Sequence, residues 1–283
     1  MLRPPPRRGL AKVPLAPHNC AMPLATASID DAMATLFTTL GFSFVFCVAL
    51  LALWHKLIAP AIPAYSTRSY EDHVFLASSF VSCYPAVTAP FLAAAALLDV
   101  PIFDNAVVMD ARPSNEALHA VGISIGYMLY DTCYMLQHGQ VRSPLMMGHH
   151  IVSILVWPYA VLRGRALIIV LFFIITEVTN IGQHGRMILL RLGLKHTKLY
   201  MVVGISWIAL FFIVRIVPGP YALYKLAYGN YASYNTFDYV LMWLTCPLPF
   251  LLNSYWFYLL VRGLIDFLKK KDAASKGASS KAH

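Results

Sequence analysis

Residues 145–162 read LMMGHHIVSILVWPYAVL and contain no Asp, Glu, Lys or Arg, although two adjacent histidines lie within them. The charge-free run begins at residue 143, so it reaches the roughly 20 apolar residues that a helix needs to cross about 30 Å of hydrocarbon. Ionisable side chains inside a membrane are rare because they are costly, and by default they mark a functional site. The stretch therefore predicts a membrane-spanning helix with a candidate site at His149 and His150.

Six further segments of this 283-residue chain have the same character. Three of them are also free of charge, namely 32–53, 74–98 and 239–261. Three contain a single charged residue each, and these are 117–136 with Asp131, 166–184 with Glu177, and 199–217 with Arg215. Only 12% of the residues are charged, about half the fraction of a soluble domain. We expect an all-α polytopic membrane protein with about seven transmembrane helices.

The net charge of +9 does not predict a nucleic-acid partner, because the Lys and Arg residues are concentrated in predicted loops and at the termini. The expected partner is membrane lipid, and association with further copies of the chain stays open. The five cysteines form no CxxC pair, and four of them lie in predicted spans. Neither a disulfide framework nor a zinc site is therefore expected.

Composition divides the chain into four parts. These are an Arg- and Pro-rich arm at 1–30, a first transmembrane helix with its loop at 31–69, the main membrane domain at 70–265, and a basic tail at 266–283. We expect the tail to be disordered, since it is of low complexity and rich in Lys, Ala and Ser. The arm is expected to be disordered or a targeting segment. If it is a transit peptide, the protein belongs to a mitochondrial or plastid membrane.

The positions of the loops bring the charged residues of three spans to similar depth. Helices joined by a short loop run antiparallel, and each residue advances about 1.5 Å. The histidine pair lies about fifteen residues before the turn near Gly164, and Glu177 lies about thirteen after it. Asp131 lies about nine residues before the turn near Gln140, and the histidine pair lies nine or ten after it. These residues are therefore expected within about one helical turn of the same depth.

Helical periodicity adds further polar side chains to this group. Two sets share a helix face, Glu177, Asn180 and His184 at i, i+3, i+7, and Tyr127, Asp131 and Tyr134 at i, i+4, i+7. Charged and polar groups inside a membrane bundle usually pair with one another or line a cavity. We expect the two faces and the histidine pair to enclose one polar cavity.

Two interpretations of this cluster are open. In the first, His149 or His150 acts as a general base or acyl acceptor, Glu177 orients it, and Asp131 holds the polar head of the acceptor. In the second, the same residues only form hydrogen bonds that hold the helices together. A metal site is not expected, because the ten histidines form none of the HxxxH or HxxHH boxes of membrane di-iron enzymes.

Arg215 lies near the predicted end of its span, so we expect its side chain to extend to the lipid head groups. The alternative is that it grips a phosphate or carboxylate. The candidate lipid-binding residues are Tyr127, Tyr134, Asn180, His184, Arg186 and Arg215. No Gly-rich phosphate loop or recognisable CoA motif is present, and no resident cofactor is expected.

Residues 70–265 resemble the TLC-domain family, which includes the ceramide synthases. The synthase motif opens with HH and reaches HDxxD 27 residues after the first His. Here the same count from His149 reaches TEVTN at 176–180, so one acid is kept as Glu177. The non-synthase TLC-domain-containing proteins are more similar, since they carry an E-x-S-[ST] element and then N-x-R, where this chain has EVTN at 177–180 and HGR at 184–186. The segments YMLYDTCY at 127–134 and FFIVRI at 211–216 also resemble that branch.

This resemblance implies a helical barrel with a polar cavity, usually in the endoplasmic reticulum, and a role in lipid metabolism. In the synthases the HH and acids support transfer of a fatty acyl group to a sphingoid amine, so acyl-CoA is a candidate co-substrate. In the other branch the implied role is lipid homeostasis and membrane composition. Because HDxxD is altered here, the resemblance favours a protein that binds or processes lipid. An acyltransferase of the ceramide-synthase type and a structural or trafficking protein are the alternatives.

Overall fold

The computed structural model describes residues 28–63, 65–98, 100, 102 and 109–280, and leaves out the side chains of 268 and 270–280. This part of the chain contains no β-strand, only an isolated bridge between Asp110 and Arg165. The prediction of an all-α protein is therefore confirmed. All but the last three residues of the predicted arm at 1–30 lie outside the described residues.

Ten helices of at least ten residues follow one another in the described part of the chain. They are α1 Ile29–Leu53, α2 Tyr70–Leu98, α3 Asn115–Gln137, α4 Pro144–Arg163, α5 Leu167–Thr176, α6 Asn180–Arg191, α7 Lys198–Phe211, α8 Gly219–Tyr228, α9 Thr236–Thr245 and α10 Pro247–Ser280. Several continue into one another through irregular turns, which are the π-helical turns Trp54–Ile58 and Phe212–Ile216 and the 3₁₀ turn Glu177–Thr179. A short helix, Ala59–Ala61, and a 3₁₀ turn, Tyr65–Thr67, connect α1 to α2.

Six helical segments in the described part of the chain are long and apolar enough to cross a membrane. They are Ile29–Ala61, Tyr70–Leu98, Pro144–Arg163, Leu167–Arg191, Lys198–Tyr228 and Thr236–Phe267. Helix α3 has 23 residues, which is also long enough, but it is not among the six. It lies against α1, α2 and α4, where many of its residues are buried. The predicted count of about seven spans thus corresponds to the six apolar segments together with α3, which is less apolar than they are.

Side-chain caps and a left-handed residue fix the ends of α4, the helix that carries the histidine pair. The Ser143 hydroxyl accepts a hydrogen bond from the Met146 amide, and Pro144 occupies the first turn, where its missing N–H costs nothing. Gly164 ends the helix with a φ of 65°, a conformation that favours glycine. A Cβ there would also lie 2.6 Å from the Ala111 carbonyl oxygen. The predicted turn near Gly164 is therefore present.

Close packing of α1 on α3 depends on two glycines one turn apart. A Cβ on Gly122 would lie 2.8 Å from the Thr39 Cβ, and one on Gly126 would lie 2.7 Å from the Ser43 Cβ. Small residues at this spacing allow the backbones of membrane helices to approach closely. This contact holds α3 in the interior of the bundle, and α3 in turn supplies one wall of the site.

The C-terminal segment differs from the sequence-based expectation. We predicted a disordered tail over 266–283, whereas the backbone of α10 is helical through Ser280. Ala and Lys, which are frequent in this segment, are strong helix formers, so the composition also suits a helix that continues beyond the apolar span.

Candidate functional site

A polar cavity of about 410 Å³ lies among α2, α3, α4, α6, α7 and α10. Eight of the predicted site residues line it, and they are Tyr127, Asp131, His149, His150, Glu177, Asn180, His184 and Arg215. Residues that are separated by up to 88 positions in sequence thus meet at one place inside the membrane-spanning bundle. The residues that were expected at similar depth, Asp131, the histidine pair and Glu177, are all among them.

His150 and Asp131 form a buried pair in the wall of the polar cavity. His150 Nδ1 lies 3.8 Å from Asp131 Oδ2, and only 4% and 8% of the two residues are exposed. The distance allows electrostatic attraction but is too long for a direct hydrogen bond. The hydroxyl of Thr132 lies 3.4 Å from the same histidine nitrogen, but it donates its proton to the Met128 carbonyl oxygen at 2.7 Å. The pair therefore retains hydrogen-bonding capacity for a bound group.

Tyr127 extends the polar wall on the side of α2. Its hydroxyl lies 2.7 Å from the hydroxyl of Ser82, and Ser82 in turn donates to the Ser78 carbonyl oxygen at 2.8 Å. Because the Ser82 proton is used in that bond, Tyr127 is the donor to Ser82. The tyrosine ring contacts the His150 ring edge-on, with centroids 6.3 Å apart. This contact fixes one side of the histidine.

Arg215 lines the polar cavity from the turn that follows α7 and is 5% exposed. Its Nη2 donates to Glu177 Oε1 at 3.4 Å and to Asn180 Oδ1 at 3.0 Å, and its Nη1 donates to Asn253 Oδ1 at 3.0 Å. The Asn180 amide also donates to Glu177 Oε2 at 2.5 Å. The charge of Glu177 is therefore compensated within the protein.

Two irregular turns place the Arg215 side chain. Arg215 lies in the π-helical turn Phe212–Ile216, and its Nε donates to the Thr176 carbonyl oxygen at 3.1 Å and the Thr179 hydroxyl at 2.8 Å. Thr176 precedes the 3₁₀ turn Glu177–Thr179, Thr179 is its last residue, and the Thr179 hydroxyl also donates to the Thr176 carbonyl oxygen at 2.9 Å. We call Arg215 and its acceptors the arginine network.

The arginine network corrects two predictions. Arg215 was expected to extend to the lipid head groups, but its guanidinium is buried and makes five hydrogen bonds within the protein. Glu177 was expected to orient a histidine, but its ion pair is with Arg215, and Asp131 is the acid next to His150. Both errors have the same cause, which is that Arg215 and Glu177 compensate each other across two helices.

His149 occupies a different position from its neighbour. Its ring is 5.8 Å from the His150 ring and meets the Trp256 ring edge-on at 6.5 Å. Adjacent helix residues point about 100° apart, and His149 accordingly lines both the polar cavity and a second, apolar cavity. It is the histidine at which the two cavities meet.

Tyr134 and Arg186, both predicted to bind lipid, do not line the polar cavity. The Tyr134 hydroxyl donates to the Val74 carbonyl oxygen at 3.2 Å and packs the end of α3 on α2. The guanidinium of Arg186 lies over the rings of Tyr200 and Trp207, at 5.1 and 5.9 Å. The structure thus gives both residues packing roles.

Asn253 and Thr179 belong to the site but were missed in the sequence. Both are buried and accept hydrogen bonds from Arg215. The available signal for Asn253 was an amide in the charge-free run 239–261. Among the described residues, no group of three or more His, Cys, Asp or Glu side chains is arranged to hold a metal ion.

Comparison with known proteins decides the family. The model of the TLC domain matches residues 75–262, about two thirds of the chain. The chain belongs to the TLC-domain family. It is 24% identical over 252 residues to TLC domain-containing protein 4-A of Xenopus laevis, an alignment that covers 86% of this chain and 96% of the relative.

Two further relatives align over shorter lengths. TLC domain-containing protein 4 A of Dictyostelium discoideum is 25% identical over 147 residues, which are 51% of this chain and 57% of the relative. TLC domain-containing protein 4 of Xenopus tropicalis is 26% identical over 157 residues, which are 53% and 61%. The predicted membership of the TLC-domain family, nearer to the non-synthase members than to the ceramide synthases, is confirmed.

Proposed function

We propose that this TLC-domain protein binds a membrane lipid with its head group in the polar cavity, and that it thereby contributes to lipid homeostasis and membrane composition. The observation that carries the proposal is the contrast inside that cavity. The Arg215 guanidinium makes five hydrogen bonds within the protein, whereas His150 and Asp131 are buried without a direct hydrogen bond to each other. A buried polar pair of this kind is best satisfied by a ligand that can hydrogen-bond to it.

The head group is the polar part of a sphingolipid or phospholipid, since such a lipid reaches the cavity from the surrounding bilayer. Hydroxyl, amine and amide groups can donate to Asp131 and exchange hydrogen bonds with His150. The endoplasmic reticulum is the proposed location, and an organellar membrane is the alternative if the N-terminal arm directs import.

Lipid analysis of purified protein tests the proposal. Wild type, His150→Gln and His138→Gln are purified in mild detergent with repeated exchange, and the retained lipids are extracted and quantified by mass spectrometry. His138 is the matched control, because it contacts Tyr70 and Tyr134 outside the polar cavity. We expect one lipid class to remain on wild type and His138→Gln, and about tenfold less on His150→Gln, as for a loss of about 1.4 kcal/mol in binding. Wild type that retains nothing above exchangeable background contradicts the proposal.

A second candidate function is supported by the position of Asp131 beside His150. A carboxylate near a histidine stabilises by charge the imidazolium that forms when the histidine takes a proton from a lipid amine or hydroxyl, which is the proton transfer needed for acyl transfer from acyl-CoA. Purified wild type incubated with acyl-CoA and sphingoid or lysolipid acceptors tests this function. A product that depends on His150 supports an acyltransferase, and no product with any acceptor leaves lipid binding as the function.

A further inference from the structure

Arg186 is an arginine of a membrane-spanning segment whose charge the protein does not compensate. Arg215 donates five hydrogen bonds within the protein, whereas Arg186 makes no hydrogen bond and no ion pair in the part of the chain that the structure describes. The Arg186 nitrogens are also not among the buried polar atoms that lack a partner there, so they are accessible from outside the protein. A guanidinium presents five N–H donors in a rigid planar fork. The acceptors of Arg186 must therefore come from the surroundings of the protein.

The side chain of Arg186 lies in a groove on α7 that Tyr200, Gly204 and Trp207 form at i, i+4 and i+7. We call it the α7 groove. The guanidinium carbon lies 5.1 Å from the centroid of the Tyr200 ring and 5.9 Å from that of Trp207. Gly204 leaves room for the aliphatic part of Arg186, since a Cβ there would already lie 3.7 Å from the Arg186 Cδ. Stacking on two aromatic faces orients a guanidinium without using its N–H donors, so the donors stay available in a defined plane.

Close packing of α6 on α7 fixes the position of the α7 groove. Gly182 lies one helical turn before Arg186, and a Cβ on Gly182 would lie only 2.7 Å from the Trp207 Cβ. A small residue at such a contact lets the backbones of two membrane helices approach closely. Trp207 is thereby held against the helix that carries Arg186, and the guanidinium is positioned before any ligand binds.

The α7 groove lies at the depth of the lipid head groups. The span Leu167–Arg191 has 25 residues, so it is about 37 Å long and extends beyond about 30 Å of hydrocarbon into the head-group region. Arg186 is five residues, or about 7.5 Å, from the end of α6. Tyr200 lies in the first turn of α7, and Tyr and Trp side chains are typical of this interface. A long basic side chain at such a position reaches the head groups.

A phosphate group is the acceptor that suits this guanidinium. The acids that the structure places at the end of α6, Glu71 and Asp72, are already paired with Arg191. A phosphate accepts two parallel hydrogen bonds from one guanidinium and neutralises its charge. Val202 and Ile205, which lie on α7 at the level of the groove, are exposed, so the chains of a bilayer lipid have apolar surface to cover beside it.

We propose that Arg186, oriented by Tyr200 and Trp207, binds the phosphate group of a bilayer phospholipid on the outer surface of the hairpin formed by α6 and α7. The site is separate from the polar cavity, whose lining does not include Arg186. It does not depend on the function proposed above, because its ligand is held by other residues and reaches them directly from the bilayer.

Binding of two lipids with identical chains tests the phosphate site. Dioleoylphosphatidylglycerol carries a phosphate and dioleoylglycerol does not. Each is titrated in mild detergent onto wild type, Arg186→Met, Arg186→Lys and Arg262→Met, and bound lipid is counted by native mass spectrometry. Arg262 is the matched control, since it is exposed and makes no hydrogen bond or ion pair within the described residues. It lies on the same side of the membrane as Arg186, because the chain crosses twice between the end of α6 and the end of the span Thr236–Phe267.

We expect Arg186→Met to bind phosphatidylglycerol about tenfold more weakly than wild type, because the charge-assisted hydrogen bonds to the phosphate are lost. Arg186→Lys should bind it about threefold more weakly, since an ammonium keeps the charge but lacks the planar fork. Arg262→Met should match wild type, and dioleoylglycerol should bind equally to all four proteins. Equal losses in Arg186→Met and Arg262→Met would leave only general charge attraction and overturn the site, as would an equal loss of both lipids in Arg186→Met.

Photolabelling of wild type in liposomes gives a second readout that does not require any variant to fold. The probe is a phosphatidylcholine with a diazirine in its head group. Labels concentrated on 180–191 and 198–211, the peptides of α6 and α7, support the site, and labels spread evenly over the helix ends on that side of the membrane overturn it. His150→Gln separates this site from the proposed function, since it should bind phosphatidylglycerol at Arg186 as wild type does, even if no lipid occupies the polar cavity.

Discussion

Arg215 and His150 line the same cavity and are buried to the same extent, at 5% and 4% exposure, yet they differ in how many hydrogen bonds they make within the protein. Arg215 donates to five acceptors on α5, α6, the turn between them and α10. His150 has one charged neighbour at 3.8 Å and one weak hydroxyl contact at 3.4 Å. Burial and charge alone therefore do not identify a binding residue inside a membrane. What distinguishes the two is how much hydrogen-bonding capacity the protein leaves free.

The largest expected effect comes from breaking the arginine network. Arg215→Met should lower the free energy of unfolding by about 3–5 kcal/mol, because it removes five hydrogen bonds of a buried guanidinium and leaves the partly buried Glu177 charge uncompensated. Thermal or denaturant unfolding in detergent measures the loss. Arg186→Met is the matched control, since it removes only a stacking contact with Tyr200 and Trp207 and should cost about 0.5–2 kcal/mol. Equal losses in the two variants would show that the network does not hold the bundle.

A smaller loss is expected when one acceptor of the network is removed. Asn253→Leu keeps the side-chain size but leaves Arg215 Nη1 without its acceptor, at a cost of about 1–3 kcal/mol. The neighbouring Ser254→Ala removes a hydroxyl that bonds only to the Phe250 carbonyl oxygen of its own helix, so it should unfold like wild type. The same unfolding measurement applies. An Asn253→Leu protein as stable as Ser254→Ala would show that Asn253 is not a stabilising acceptor of Arg215.

The smallest effect on stability is expected at Asp131. Asp131→Asn should change the free energy of unfolding by less than about 1 kcal/mol, because its carboxylate makes no direct hydrogen bond to His150. Asp238→Asn is the contrasting variant, since that carboxylate is bonded to Tyr159 and Arg165 and its loss should cost about 3 kcal/mol. Equal destabilisation by the two variants would show that Asp131, like Asp238, stabilises the fold.

The sequence predicted which residues lie close together better than it predicted which of these residues pair with each other. Counting residues from turns gave the depth of Asp131, the histidine pair and Glu177, because short loops and a constant rise per residue are properties of the local chain. The pairing of Arg215 with Asn253 joins positions 38 residues apart on different helices, and no local pattern encodes it. The π-helical turn that carries Arg215 also shifts its direction from that of an ideal helix.

The face predicted on α3 was correct for two of its three residues, whereas Glu177, Asn180 and His184 all line the polar cavity. Tyr127 and Asp131 share the polar cavity, whereas Tyr134, seven residues after Tyr127, already contacts α2 at Val74. In an ideal helix, residues seven positions apart differ in direction by only about 20°, so spacing alone does not predict the different contact of Tyr134. Near such an end, the neighbouring helix decides which contact a polar side chain makes.

The central claim is that His150 and Asp131 bind a ligand while Arg215 holds the fold. It is tested most directly by the lipid retained per folded molecule of His150→Gln, measured together with its unfolding temperature. We predict a protein that unfolds close to wild type but retains about tenfold less of the bound lipid class. A His150→Gln protein that keeps the wild-type amount of lipid, or that loses lipid only in proportion to lost stability, would show that the histidine is structural.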